Sequence, residues 1–135
     1  MFNSFYIYYV LISKLLKMNI EEFRNYCLAK KAVTEEFPFD EKTLVFKVMG
    51  KMFALTGLDA EEFRVNLKSD PEYSIELREE YEDIIPGWHM SKKHWNTVYF
   101  ENGLEMSFLC QLIDHSYDLV VKKLKKSDRE FLENL

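Results

Sequence analysis

A chain of 135 residues has the size of one domain, and 47% apolar residues with 16% aromatics suffice for a real core, which excludes a disordered chain. Lys and Arg total 18 against 23 Asp and Glu, a formal charge of -5. A uniformly basic surface is therefore excluded, and any polyanion binding requires cations gathered on one side.

The first feature is Phe5 to Leu16, FYIYYVLISKLL, the most apolar stretch of the chain. It is shorter than the roughly 20 residues that cross a bilayer. Lys14 and Lys17 come late in it and no small-residue cleavage site follows, so it does not read as an export signal. Residues 1–17 read as an extension upstream of a natural start at Met18, with an extra helix or a membrane-surface anchor as the alternative. The domain is expected over residues 18–126, with a short tail over 127–135.

Asn19-Ile-Glu-Glu22 spells a capping box, and Ile20, Phe23, Cys27 and Leu28 recur at helical spacing, predicting an amphipathic helix to about Lys31. After a loop carrying Pro38, Thr43 to Met49 alternates, with Leu44, Phe46 and Val48 on one side. Gly50-Lys51 then reads as a type II′ turn into a second strand, Met52 to Thr56. Phe63, Val65 and Leu67 alternate with Arg64, Asn66 and Lys68, the cleanest strand pattern in the chain.

Asp70-Pro71 predicts a helix start, because the carboxylate caps free amides and proline at the first position sacrifices no needed donor. That helix should run to about Glu82 or Asp83, with its carboxylates on a solvated face, and Pro86-Gly87 ends the segment. Trp88 to Met90 and His94 to Phe100 read as a second hairpin joined through Ser91-Lys92-Lys93. A long helix follows over Ser107 to Lys123, striped by Leu109, Leu112, Ile113, Ser116, Tyr117 and Val120; the lysines at its end complement the helix dipole. The order α-βββ-α-ββ-α predicts an α+β two-layer sandwich, helices against an antiparallel sheet.

No phosphate loop, G-x-S-x-G or H-E-x-x-H motif is present, so a non-enzymatic protein without cofactor is expected. Cys27 and Cys110 sit among apolar residues at helical spacing and read as inert thiols of a reducing cytoplasm. His89 and His94 flank a turn whose ring directions the sequence does not fix, and no metal site is expected from them, nor from His115 beside Asp114 and Asp118. One region combines cations with aromatics, Trp88-His-Met-Ser-Lys-Lys-His-Trp95. Its lysines can reach phosphates and its tryptophans can stack on unpaired bases; equally, the tryptophans can fill the core and leave the lysines as a solvated turn.

The stretch Pro86-Gly-Trp-His-Met-Ser-Lys-Lys-His-Trp95 resembles the P-x-x-H-M-N-K-K-H-W signature of the MmcQ/YjbR family, with Ser91 in place of Asn. Phe46 to Leu55, Ser69 to Glu72 with Glu76 to Glu80, and Leu112 to Val121 are similar to its first hairpin, middle helix and last helix. The resemblance spans Met18 to about Leu124 and implies the same α-βββ-α-ββ-α fold. It further implies a DNA-binding protein with two hairpins as paired wings, placing Lys47, Gly50 and Lys51 on one wing and His89, Lys92, Lys93, His94 and Trp95 on the other. A protein-interaction module using the open sheet face is the alternative, the fold type being similar to secretion-chaperone folds. An acidic metal-handling domain like frataxin ranks third.

Overall fold

The structure is a computed structural model in which residues 3–8 and 17–135 are described. Residues 4–8, which open the apolar amino-terminal run, are helical. The other expectations for that run lie outside the described residues. No helix among the described residues is long and apolar enough to cross a membrane.

Helix α1 (Ile20–Leu28) starts as its sequence spells: Asn19 Oδ1 accepts from the Glu22 N–H at 2.8 Å and the Glu22 carboxylate accepts from the Asn19 N–H at 3.5 Å. The chain then enters a strand that the apolar pattern does not announce, β1 (Val33–Glu36). Four residues with two glutamates carry no alternation signal. Pairing makes them a strand, with Val33 opposite Val48 and Glu36 opposite Val45 of β2 (Thr43–Val48). From Glu35, two carboxylate oxygens accept from Arg24 at 2.7 and 2.5 Å, which ties β1 to α1.

Strand β3 (Lys51–Gly57) follows β2 through Met49-Gly50, not through Gly50-Lys51, because Val48 pairs with Lys51. Both turn residues have positive φ, 49° and 81°, the type I′ geometry whose twist matches the flanking strands, so the expected type II′ turn is corrected. A register shift beside Phe46 and Lys47 leaves Phe53 without a partner on β2, and both Phe53 and Ala54 are fully buried. Next come β4 (Arg64–Lys68) and α2 (Pro71–Glu80), whose cap Asp70 accepts from the Glu72 N–H at 3.1 Å.

The expected second hairpin is also corrected. Its strands are β5 (Ile84–Pro86) and β6 (Trp95–Tyr99), and residues 87–94 connect them as irregular turns. Helix α3 (Met106–Lys122) and a further helix α4 (Lys126–Glu133) complete the chain; the expected tail thus folds back and buries Leu132 in the core. The antiparallel sheet has the order β1-β2-β3-β4-β6-β5. The observed sequence α-ββββ-α-ββ-α-α keeps the expected α+β two-layer arrangement with one more strand and one more helix.

The helices lie on one side of the sheet. There Phe23 of α1 meets Phe46, Phe63 and Phe100 edge-on at 5.3, 5.7 and 5.5 Å, contacts of about 0.5–1.5 kcal/mol each beyond the area they bury. Ser116 of α3 stitches helix to sheet, donating to the Phe53 carbonyl at 2.5 Å and accepting from the Lys68 N–H at 2.8 Å. The opposite side holds a small apolar cluster, Val45, Leu55 and Trp95 with Met52 and Met90.

Candidate functional site

Strand register decides which loops share an end of the sheet. Val48 is opposite Lys51 across the first turn, β3 and β4 run antiparallel, and Lys68 is opposite Trp95. The Met49-Gly50 turn, the end of β4 and the 91–94 turn therefore lie at one end, and α3 passes Phe53 and Lys68 at Ser116 on its way to the same end. That end carries Lys51, Lys68, Lys92, Lys93, His94, Lys122 and Lys123, with Asp70 at the start of α2. The other end carries the loops with Asp40 and Glu41, Asp59, Glu61 and Glu62, Glu82 and Asp83, and Glu101, with Lys42 paired to Asp59.

A chain of charge -5 can thus hold a basic end. Strands of five to seven residues at about 3.3 Å per residue separate the ends by roughly 17–23 Å, about two Debye lengths at physiological salt.

The 87–94 segment is fixed to the sheet by polar bonds. Gly87 N–H donates to the Trp95 carbonyl at 2.9 Å, and a Cβ on Gly87 would stand 2.7 Å from Trp95 Cβ, so the crossing requires glycine. Trp88 N–H donates to Thr97 Oγ1 at 2.9 Å, Thr97 Oγ1 donates to Asn66 Oδ1 at 2.5 Å, and Asn66 Nδ2 donates to the Trp88 carbonyl at 3.3 Å, closing a ring of three bonds on the open face. From the helical side, Arg78 of α2 donates to Asn96 Oδ1 at 2.7 Å, to the Trp95 carbonyl at 3.2 Å and to the Lys92 carbonyl. Burial pushes the Arg78 guanidinium below its usual range. This side chain orients the turn that presents Lys92 and Lys93.

The expected site residues separate into two groups. Lys51, Lys92 and Lys93 are exposed at the shared end, with His94 half-buried beside them, and none of the three lysines has an ion-pair partner among the described residues. Lys47 lies instead on the open face, its Nζ 3.5 Å from Glu36 Oε1, so its charge is already met. Trp95 is 5% exposed and packs on Val45 and Leu55, which removes it as a base-stacking surface. Trp88 is 56% exposed, edge-on to the His89 ring at 4.8 Å with the Arg64 guanidinium 5.7 Å from its ring. His89 is exposed, at a positive φ of 58°.

Sequence reasoning missed Lys68, which alternation marked only as outward-facing, and Arg78, hidden among helix-surface charges. The signal for both was the pairing of Lys68 with Trp95, a contact between strands separated by a helix.

Other chemistry has no assembled site. Burial pushes both the Cys27 and Cys110 thiols above the usual range, and both are unpaired. His115 Nε2 accepts from the Asp70 N–H at 3.2 Å and its ring lies against Tyr73. Among the described residues, no group of three His, Cys, Asp or Glu is placed to hold a metal.

A helix-backed antiparallel sheet with irregular turns bonded onto its open face defines a small α+β domain, and comparisons identify its kin. The YjbR family model matches residues 28–119. The uncharacterized protein YjbR of Escherichia coli K12 is 34% identical over 118 residues, covering 87% of this chain and all of that protein. The uncharacterized protein YbdF of Escherichia coli O157:H7 is 42% identical over 95 residues, covering 70% of this chain and 77% of its own length. A crystal structure of a Deinococcus radiodurans protein with a DUF419 domain superposes with a TM-score of 0.80 at 39% identity, over 87% of this chain and 89% of that one. The chain belongs to the YjbR family.

Proposed function

We propose that this protein is a non-enzymatic, cytoplasmic DNA-binding protein that contacts backbone phosphates with the cations at one end of its sheet. The observation that carries the reading is the sorting of charge along the strands: Lys51, Lys92 and Lys93 stand together without carboxylate partners in a chain that is acidic overall. Phosphate contacts of this kind release counterions and depend steeply on salt. The hold of Arg78 and Gly87 on the second turn supports it, because a backbone already ordered loses less entropy on binding. Exposed Trp88 offers a ring to an unpaired base.

In an electrophoretic mobility shift with duplex DNA, K92E/K93E is expected to lose at least about tenfold in affinity, the effect of replacing two phosphate contacts by two repulsions. Unchanged retardation by that variant overturns the reading. A protein-interaction role is favoured by one separate observation, a groove of about 410 Å³ on the open face lined by Phe39, Leu55, Trp88 and Met90. A polypeptide that binds the full chain and is lost on Trp88→Ser, with no DNA retained, would support that second reading.

A further inference from the structure

We infer that the cleft between the end of β4 and the end of α3, lined by Lys68, His94, Lys122 and Lys123, is a seat for a single phosphate group. The cleft encloses about 280 Å³, with Ser69 and Asp70 at its wall. A water molecule takes about 30 Å³ of the liquid, so a tetrahedral oxyanion fits with part of its hydration. The inference deepens the polyanion reading by locating one phosphate, and rests on that reading only for the phosphate's source.

Holding these cations together carries a cost. Burial pushes the Lys68 ammonium below the usual lysine range, and the nearby charges of Lys123 and Lys51 push it further the same way. Like charges held together are destabilising unless something answers them. Four lysines of the fold have carboxylate partners: Lys30 has Asp114, Lys42 has Asp59, Lys47 has Glu36 and Lys126 has Glu130. Among the described residues, Lys51, Lys68, Lys122 and Lys123 have no such partner.

The carboxylate at the wall, Asp70, is engaged in capping α2 through the Glu72 N–H. Lys68 rests over the Trp95 ring at 5.5 Å, which steadies the ammonium without giving it an acceptor oxygen. An oxyanion in the cleft answers the repulsion between Lys68 and Lys123 with charge-assisted contacts, and Lys122 adds a further donor on the same lining.

The test is a titration of the isotopically labelled full chain with sodium pyrophosphate at constant ionic strength, followed at the Ser69 and His94 amides. Saturable shifts are expected there. K123Q, at an exposed helix end, should weaken binding severalfold, and K68Q/K123Q by at least about tenfold. K42Q, an exposed change at the opposite end of the sheet, should leave the affinity unchanged. Absent shifts, unchanged affinity in both cleft variants, or equal weakening by K42Q overturns the seat.

A parallel titration with a short DNA duplex separates the sources. Shifts of Ser69 and His94 by DNA that vanish in K68Q/K123Q give the seat to a backbone phosphate. Pyrophosphate binding without any DNA binding retains the seat for free phosphate or nucleotide and overturns the polyanion reading alone.

Discussion

The two ends of the sheet are made by the same strands and differ in nearly every other respect. At the acidic end the loops carry Asp59, Glu61, Glu62 and Glu101, exposed around tight connections. At the basic end Lys92 and Lys93 sit on a turn bonded from both sides of the sheet, by Thr97 and Asn66 on the open face and by Arg78 from α2. The contrast separates two uses of surface charge. Scattered carboxylates keep a small domain soluble, whereas cations carried on a hydrogen-bonded turn keep a backbone geometry that a ligand can use.

The strongest way to break the comparison is to loosen the basic end without touching its charges. Arg78→Met keeps the apolar stem and removes three donated bonds, leaving Asn96 Oδ1 unpaired in the core. A loss on the order of 2 kcal/mol is expected in urea unfolding, with faster amide exchange at Gly87 and Trp95. Unchanged exchange there would show that the turn holds itself.

A smaller effect tests whether the ends act independently. E61Q/E62Q removes charge from the far end, beyond about one Debye length, so DNA affinity at physiological salt should change by less than about twofold. A larger gain would mean that net charge, not its placement, governs binding.

The smallest effect concerns His115, which joins α3 to the start of α2. Burial lowers its pKa below the usual 6.5, against the opposing pull of Asp70 and Asp118. Below that value the unfolded chain binds the proton more readily than the folded one, and the protonated ring can no longer accept from the Asp70 N–H. Stability should therefore rise as pH is raised through the window up to about 6.5 and flatten above it. His115→Gln should remove that rise in urea midpoints; a rise that persists would assign it to other groups.

Much of this molecule was legible before its coordinates. The capping box at Asn19, the alternation through Leu44, Phe46 and Val48, the Asp70-Pro71 start and the stripe from Leu109 to Val120 each depend on near neighbours, and each reads correctly. What did not read depends on distant partners. β1 is a strand only because β2 lies beside it, and α4 is ordered by Leu132 reaching the core.

The tryptophan-bounded segment shows the limit most clearly. Local pattern made it a hairpin, but Trp88 to Met90 cannot continue β5 because Gly87 crosses against Trp95 and Trp88 turns to bond Thr97. Of the candidate residues, Lys51, Lys92 and Lys93 are exposed at one end of the sheet, whereas Lys47 is ion-paired and Trp95 is buried. Charge pairing with Glu36 and packing on Leu55 are tertiary facts.

The central claim is that cations at one end of the sheet meet phosphate. The direct measurement is the dependence of duplex DNA affinity on salt for the native chain and for K51Q/K92Q/K93Q. The account predicts a steep fall of log affinity with log salt for the native chain, and a slope shallower by about 2–3 in the variant. Equal slopes for the two proteins would contradict it.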